Sequence, residues 1–194
     1  MEGKRMAESD CRDARAKVHD AAGELYQVAA LMMGDESRAI ELVESTVAQT
    51  IIDPCAEAGA SVSAALESLM EKAVARLSKT DPEAFKAPIL LASAGGHCID
   101  DDDLSAVGIS ASQLTDMVNG PERRRLRDWL NRLPVSQRVI FVVRATLGWD
   151  NAATAALLSK TASGNWQPWQ VSELFRQALC SLATSLVHAA VAQT

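Results

Sequence analysis

The chain has 194 residues, of which 48% are apolar and 23% charged, and its net charge is -6. That balance excludes a largely disordered chain, and the length suits one ordinary domain or two small ones whose core needs no metal or disulfide staple. Aromatics are only 4% while Ala, Leu, Val and Met dominate, which predicts an all-α protein.

The first predicted helix spans 12–33, with Val18, Ala22, Leu25, Ala29 and Met32 at helical spacing. Gly34 supplies its left-handed stop, and Asp35 caps the next helix. That second helix, about 36–51, is expected to bury Ile40, Val43, Val47 and Thr50 or Ile51, and to close at Asp53-Pro54. A third, about 61–79, presents Val62, Leu66, Leu69, Ala73 and Leu77 and stops at Thr80-Asp81-Pro82. These three form a predicted bundle. Residues 80–120 hold Pro82, Pro88, Gly95-Gly96 and the run Asp100–Asp103, and read as a linker with a short helix near 110–118.

From Pro121 the helical pattern returns. Leu126, Leu130 and Leu133 form a stripe up to Pro134. Ser136–Leu147 carries Ile140, Val143 and Leu147 inside and ends at Gly148. A short helix covers Asn151–Leu158, and the last runs from Pro168 to about Ala190, burying Val171, Phe175, Ala178, Leu179, Leu182 and Leu186. The fold expected is therefore two small helical bundles, residues 1–79 and 121–194, joined by a linker at 80–120. A short helix, a turn and a longer helix in the second bundle fit a helix-turn-helix.

Charge divides the same way. Residues 1–120 carry ten Lys/Arg against twenty-one Asp/Glu, and residues 121–194 carry nine against four. The basic half can approach a phosphate backbone and the acidic half avoids one. Arg123, Arg124 and Arg125, with Arg127, are the densest basic cluster. They read as phosphate contacts, as a solvated helix start, or as arginines pairing with the acidic first domain. The aspartate run lacks the spacing and glycine of a calcium loop and reads as solvated linker. Trp166 and Trp169 read either as a partner surface or as rings folded back on the alanine-rich helix. His19, His97 and His188 are scattered, and no nucleophile elbow, P-loop or HExxH occurs. No enzyme, cofactor or metal centre is expected. With no CxxC pair, Cys11, Cys55, Cys98 and Cys180 are expected as reduced thiols in a cytoplasmic protein. No apolar run approaches 18 residues, so no membrane span is expected, and the charged start has no apolar stretch of a secretory leader.

The segment Leu126–Arg144, with Leu133-Pro134, Arg138 and Arg144, resembles the start of region 4 in bacterial sigma-70-type factors, the extracytoplasmic-function group in particular. Leu147-Gly148-Trp149 stands where that family has a glycine and an aromatic, Ala152–Leu158 where its helix-turn-helix begins, and Gln170–Leu179 matches its recognition helix in the apolar positions. Leu25–Ala29, Gly34-Asp35 and Ala39–Thr46 resemble the first two helices of region 2.

The resemblance implies a transcription initiation protein that binds RNA polymerase core and directs it to promoter DNA. It places polymerase docking on the second helix, where Glu41 and Glu44 share a face. It places DNA reading on Gln170, Ser172, Glu173 and Arg176, with Arg123, Arg124 and Arg125 near phosphates. An anti-sigma factor is a further implied partner. The chain departs from the family at Glu173, which repels phosphate, in a longer turn before Pro168, in Glu44 for the usual glutamine, and in a third helix without aromatics. Weak DNA binding by the chain alone is expected, and the alternative is a sigma-like mimic that binds polymerase or an anti-sigma factor without reading DNA.

Overall fold

In the computed structural model, the described residues are 19–49, 60–88, 98–162 and 164–191, and among them every regular element is helical. They form two compact units, residues 1–73 and 74–194.

In the first unit, α1 (19–33 of the described residues) ends at Gly34, whose φ of 67° lies where side chains with a Cβ are disfavoured. Asp35 then caps α2 (Glu36–Val47), its carboxylate accepting from the Arg38 amide at 2.9 Å. Tyr26 donates to Glu36 at 2.7 Å across this corner. Leu25, Met32, Leu42, Leu69 and Met70 are wholly buried, the last two from α3 (Ala60–Thr80). Lys72 Nζ donates to the Ser45 carbonyl at 2.8 Å.

The buried stripe of α2 is Ala39, Leu42, Val43 and Thr46: Val43 is buried as expected, Ile40 and Val47 are not, and the expected Thr50 or Ile51 lies outside the described residues. Ile40 is 45% exposed. The spacing explains the correction. Positions 39, 42, 43 and 46 complete a helical face that includes Leu42, which the other register would leave in water. Thr46 can sit at zero exposure because its hydroxyl donates to the Leu42 carbonyl at 2.8 Å. The expected start of α1 at residue 12 and the expected close at Asp53-Pro54 lie outside the described residues.

The second unit contains short 3-10 turns at Glu83–Phe85 and Leu104–Val107, then α4 (Ala111–Asn119), α5 (Arg123–Leu130), α6 (Val135–Phe141), α7 (Asn151–Thr161) and α8 (Pro168–Val191). It holds all four tryptophans of the chain. Every residue from Ser136 to Val143 is buried, so α6 is the central helix. A helix wrapped on all sides needs partners for its polar groups. Gln137 Nε2 donates to the Leu174 carbonyl at 3.0 Å, and Arg138 Nη1 donates to Asn131 at 2.9 Å. Burial pushes the Arg138 pKa down from its usual value. Around α6, the Trp129 and Phe141 rings meet edge to face at 4.8 Å, and Phe141 lies 5.9 Å from Phe175 of α8.

Beyond Phe141 the helix widens into a π turn, Val142–Thr146. Residues 98–120 are not the loose linker the sequence suggests. Ile109, Leu114 and Val118 are buried, α4 is opened by a Ser110–Gln113 capping box, and the Leu104–Val107 turn packs on α8. Its short apolar pieces are core positions of the second unit. This packing also brings Cys98 to Cys180, 82 residues away, in a disulfide with Cα atoms 6.0 Å apart. The expectation of reduced thiols fails for this pair. Leu186, expected inside, is 39% exposed.

The register of α2 is testable. Leu42→Ala should lower unfolding stability by about 2–5 kcal/mol, whereas Ile40→Ala should cost less than about 1 kcal/mol. Urea titrations followed by circular dichroism check this, and a larger loss at Ile40 would restore the other register.

Candidate functional site

The helix α8 holds Gln170, Ser172, Glu173 and Arg176, the residues expected to read bases. The six residues 162–167 join α7 to α8. Trp166 closes this joint: its Nε1 donates to the Phe85 carbonyl at 3.1 Å, its amide donates to Ser159 Oγ at 2.9 Å, and the ring is 3% exposed. Gly164 permits that seat, because a Cβ there would lie 2.8 Å from Trp166 Nε1. Trp169 behaves oppositely and is 54% exposed. Trp166 thus folds back onto the end of α7 at Ser159, whereas Trp169 stands in solvent.

The four proposed reading residues are all engaged inside the protein. Gln170 is buried, and its Oε1 accepts from the Gln167 amide at 2.8 Å while Nε2 donates to the Pro88 carbonyl at 2.9 Å. It holds the start of α8 and does not face a groove, which corrects its expected role. Glu173 and Arg176 pair at 2.8 Å, as their spacing predicts, and Gln177 also donates to Glu173 at 3.0 Å. Arg176 Nη1 donates to the Asp100 carbonyl at 3.1 Å. Ser172 is half-buried and helps to hold the Asp102 carboxyl low.

The centre of this network is one that sequence reasoning missed. The π turn carries Arg144, whose guanidinium lies 4.9 Å over the Phe175 ring. Its Nη1 donates to the Trp149 carbonyl at 2.9 Å, and Nη2 donates to the Asp102 carbonyl at 3.0 Å and lies 3.5 Å from the Asp102 carboxylate. Asn151, at the start of α7, donates to the same carboxylate at 2.7 Å. Burial alone would raise the Asp102 pKa. Hydrogen bonds from Asn151 and Ser172 and the charge of Arg144 outweigh it and hold the carboxyl below its usual 3.8. Asp103 is held low by the Ser105 hydroxyl and amide, and its side chain caps the Leu104–Val107 turn at 2.8 Å. The aspartate run is therefore partly structural. The signal available in the sequence was its acidity beside a basic module.

The arginines at the start of α5 lie elsewhere on the second unit. Arg125 pairs with Glu122 at 3.0 Å, both exposed. Arg123, Arg124 and Arg127, with Gly120 and Pro121, line an open hollow of about 410 Å³. In the first unit, Glu41 and Glu44 are both exposed on α2, beside exposed Ile40. Among the described residues, no three His, Cys, Asp or Glu side chains converge on a metal-sized site, and no helix is long and apolar enough to cross a membrane. No protein-family model and no curated protein sequence matches the chain.

The lowered Asp102 pKa fixes a pH dependence. Its folded value lies below the unfolded one, so its contribution is fully present above the unfolded pKa and is lost as pH falls through the folded one. Asp102→Asn should cost about 1–2 kcal/mol at pH 7, and the difference from the natural chain should shrink below about pH 4. Urea midpoints of both proteins at pH 7 and pH 3 check it, and an equal gap at both would remove the carboxylate from the account. Gly164→Ala should unseat Trp166, read as a red shift of tryptophan emission in the folded protein.

Proposed function

We propose that the chain is a sigma-like transcription initiation protein of the cytoplasm, binding RNA polymerase core through its first unit and promoter DNA through its second. The observation that carries this reading is the order of the helices and their marks in both units. The Gly34-Asp35 corner joins α1 to α2. Leu133-Pro134 opens α6, with Arg138 and Arg144 following at the family's spacing. The pair α7 and α8 then stands where a helix-turn-helix belongs.

Polymerase docking falls to the exposed face of α2. Glu41 and Glu44 supply charge there, and Ile40 adds an apolar contact that the corrected register leaves in solvent. Phosphate contact falls to the hollow of Arg123, Arg124 and Arg127. Arg176 has its charge shared with Glu173, so the chain alone binds DNA weakly and relies on polymerase for placement.

A second reading has its own support. Gln170, Ser172, Glu173 and Arg176 are all occupied within the protein, which suits a mimic that binds polymerase or an anti-sigma factor without reading bases.

Glu41→Arg with Glu44→Arg should lower co-purification with polymerase core by about tenfold, equivalent to roughly 1.4 kcal/mol, with an unchanged circular dichroism spectrum. Full retention would remove α2 as the docking face. Fluorescence anisotropy with duplex DNA should show binding that falls steeply with salt and is weakened by Arg123→Ala with Arg124→Ala. Polymerase binding with no DNA affinity at any salt selects the mimic.

A further inference from the structure

We propose that residues 98–103 are an acidic strap lying along one flank of α8 in place of a nucleic-acid backbone, and that the Cys98–Cys180 disulfide is the redox latch that keeps it closed. This rests on the reading of α8 as the DNA-facing helix.

Two contacts define the strap: Cys98 is bonded to Cys180, and the Asp100 carbonyl accepts from Arg176. Beyond them, Ser172 of α8 helps to hold the Asp102 carboxyl ionised. The strap positions are two apart and the helix positions four apart, in opposite order. Four helical residues make about one turn, so the α8 positions 172, 176 and 180 lie on one side of that helix. The stripe 172, 176, 180 borders the buried stripe of Val171, Phe175 and Leu179.

The strap offers Arg176 what a phosphodiester offers, an oxygen acceptor within a negatively charged segment. Its two ends differ in permanence. At Asp102 it is fixed by Arg144 and Asn151. At Cys98 it is held by a bond that a reductant opens. Cys98 is exposed and Cys180 half-buried, so Cys98 Sγ is the sulfur open to attack.

A thiolate of a dithiol reductant bonds to Cys98 Sγ, and the Cys180 sulfur leaves as a thiolate and takes a proton. The second reductant thiol then attacks the mixed disulfide and releases Cys98 as a thiol. Two electrons and two protons pass to the protein, and the reductant becomes a disulfide. The Asp100 carbonyl is then free to leave Arg176, with Asp102 as the hinge.

The test uses the full chain, air-oxidised or treated with dithiothreitol. Peptide mapping should find Cys98 joined to Cys180 in the oxidised protein. Reduction should speed amide exchange in peptides containing Cys98 to Asp101. It should also tighten binding of a fluorescent duplex of arbitrary sequence by about threefold to tenfold and steepen the salt dependence by about one phosphate contact. Cys98→Ser should reproduce the reduced state without reductant, and Arg176→Ala should abolish the difference.

Unpaired thiols under oxidising conditions, or exchange unchanged by reduction, would overturn the latch. Faster exchange with unaltered DNA affinity and salt slope would overturn the strap as a phosphate substitute. Faster exchange with no DNA affinity in either state would instead overturn the DNA-facing reading of α8, and with it the role given to the strap.

Discussion

The second unit is organised around the guanidinium of Arg144. It reaches the segment before α4 through Asp102, the corner after α6 through Trp149, and α8 through the Phe175 ring. A planar cation with donors along its edges and a face that stacks is suited to this, and a lysine could not replace it. The π turn is what makes the reach possible. An extra residue in the turn rotates everything after it, so the helix that brings Val142 and Val143 into the core still aims position 144 at the acidic segment. Asn151 and Ser172 then complete the shell of Asp102 from two further helices.

This arrangement bears on how α8 can act. A helix that reads bases needs side chains with spare donors and acceptors along one exposed stripe. Here the N-terminal turn is committed to its own support through Gln170, and the next turns to Glu173–Arg176 and the strap. What stays in solvent at its start is Trp169, an apolar ring on the open side. The hollow of the α5 arginines turns charge outward, and in our reading it is the part that would meet phosphate without regard to sequence. Polymerase docking and strap release therefore carry more of the proposed specificity than α8 does.

Much of the helical order is legible in the sequence because it rests on local chemistry. Gly34 and Asp35 announce a stop and a cap, Pro168 announces a helix start, and Glu173 and Arg176 are near enough to pair on any helix. Long-range effects are less legible. Ile40 and Leu42 are both strongly apolar, and only the neighbours in space decide which faces inward. The aspartate run looks solvated because its partners, Arg144 and Asn151, lie more than forty residues away. Cys98 and Cys180 have no spacing signature, since their meeting depends on how the Leu104–Val107 turn and the residues from 98 lie on α8. The π turn has no mark at all in Val142–Thr146 that separates it from ordinary helix.

The placement of the tryptophans has a consequence for observing the molecule. All four lie in the second unit, while Tyr26 is the lone tyrosine of the chain and lies in the first. Excitation at the red edge of indole absorption therefore illuminates one unit and leaves the other dark, whereas backbone ellipticity samples the helices of both. A denaturation curve recorded by emission and another recorded by ellipticity are consequently observations of different parts of the polypeptide. Where they separate, the gap between them belongs to the helices that dock on the polymerase in our reading, made visible without any label.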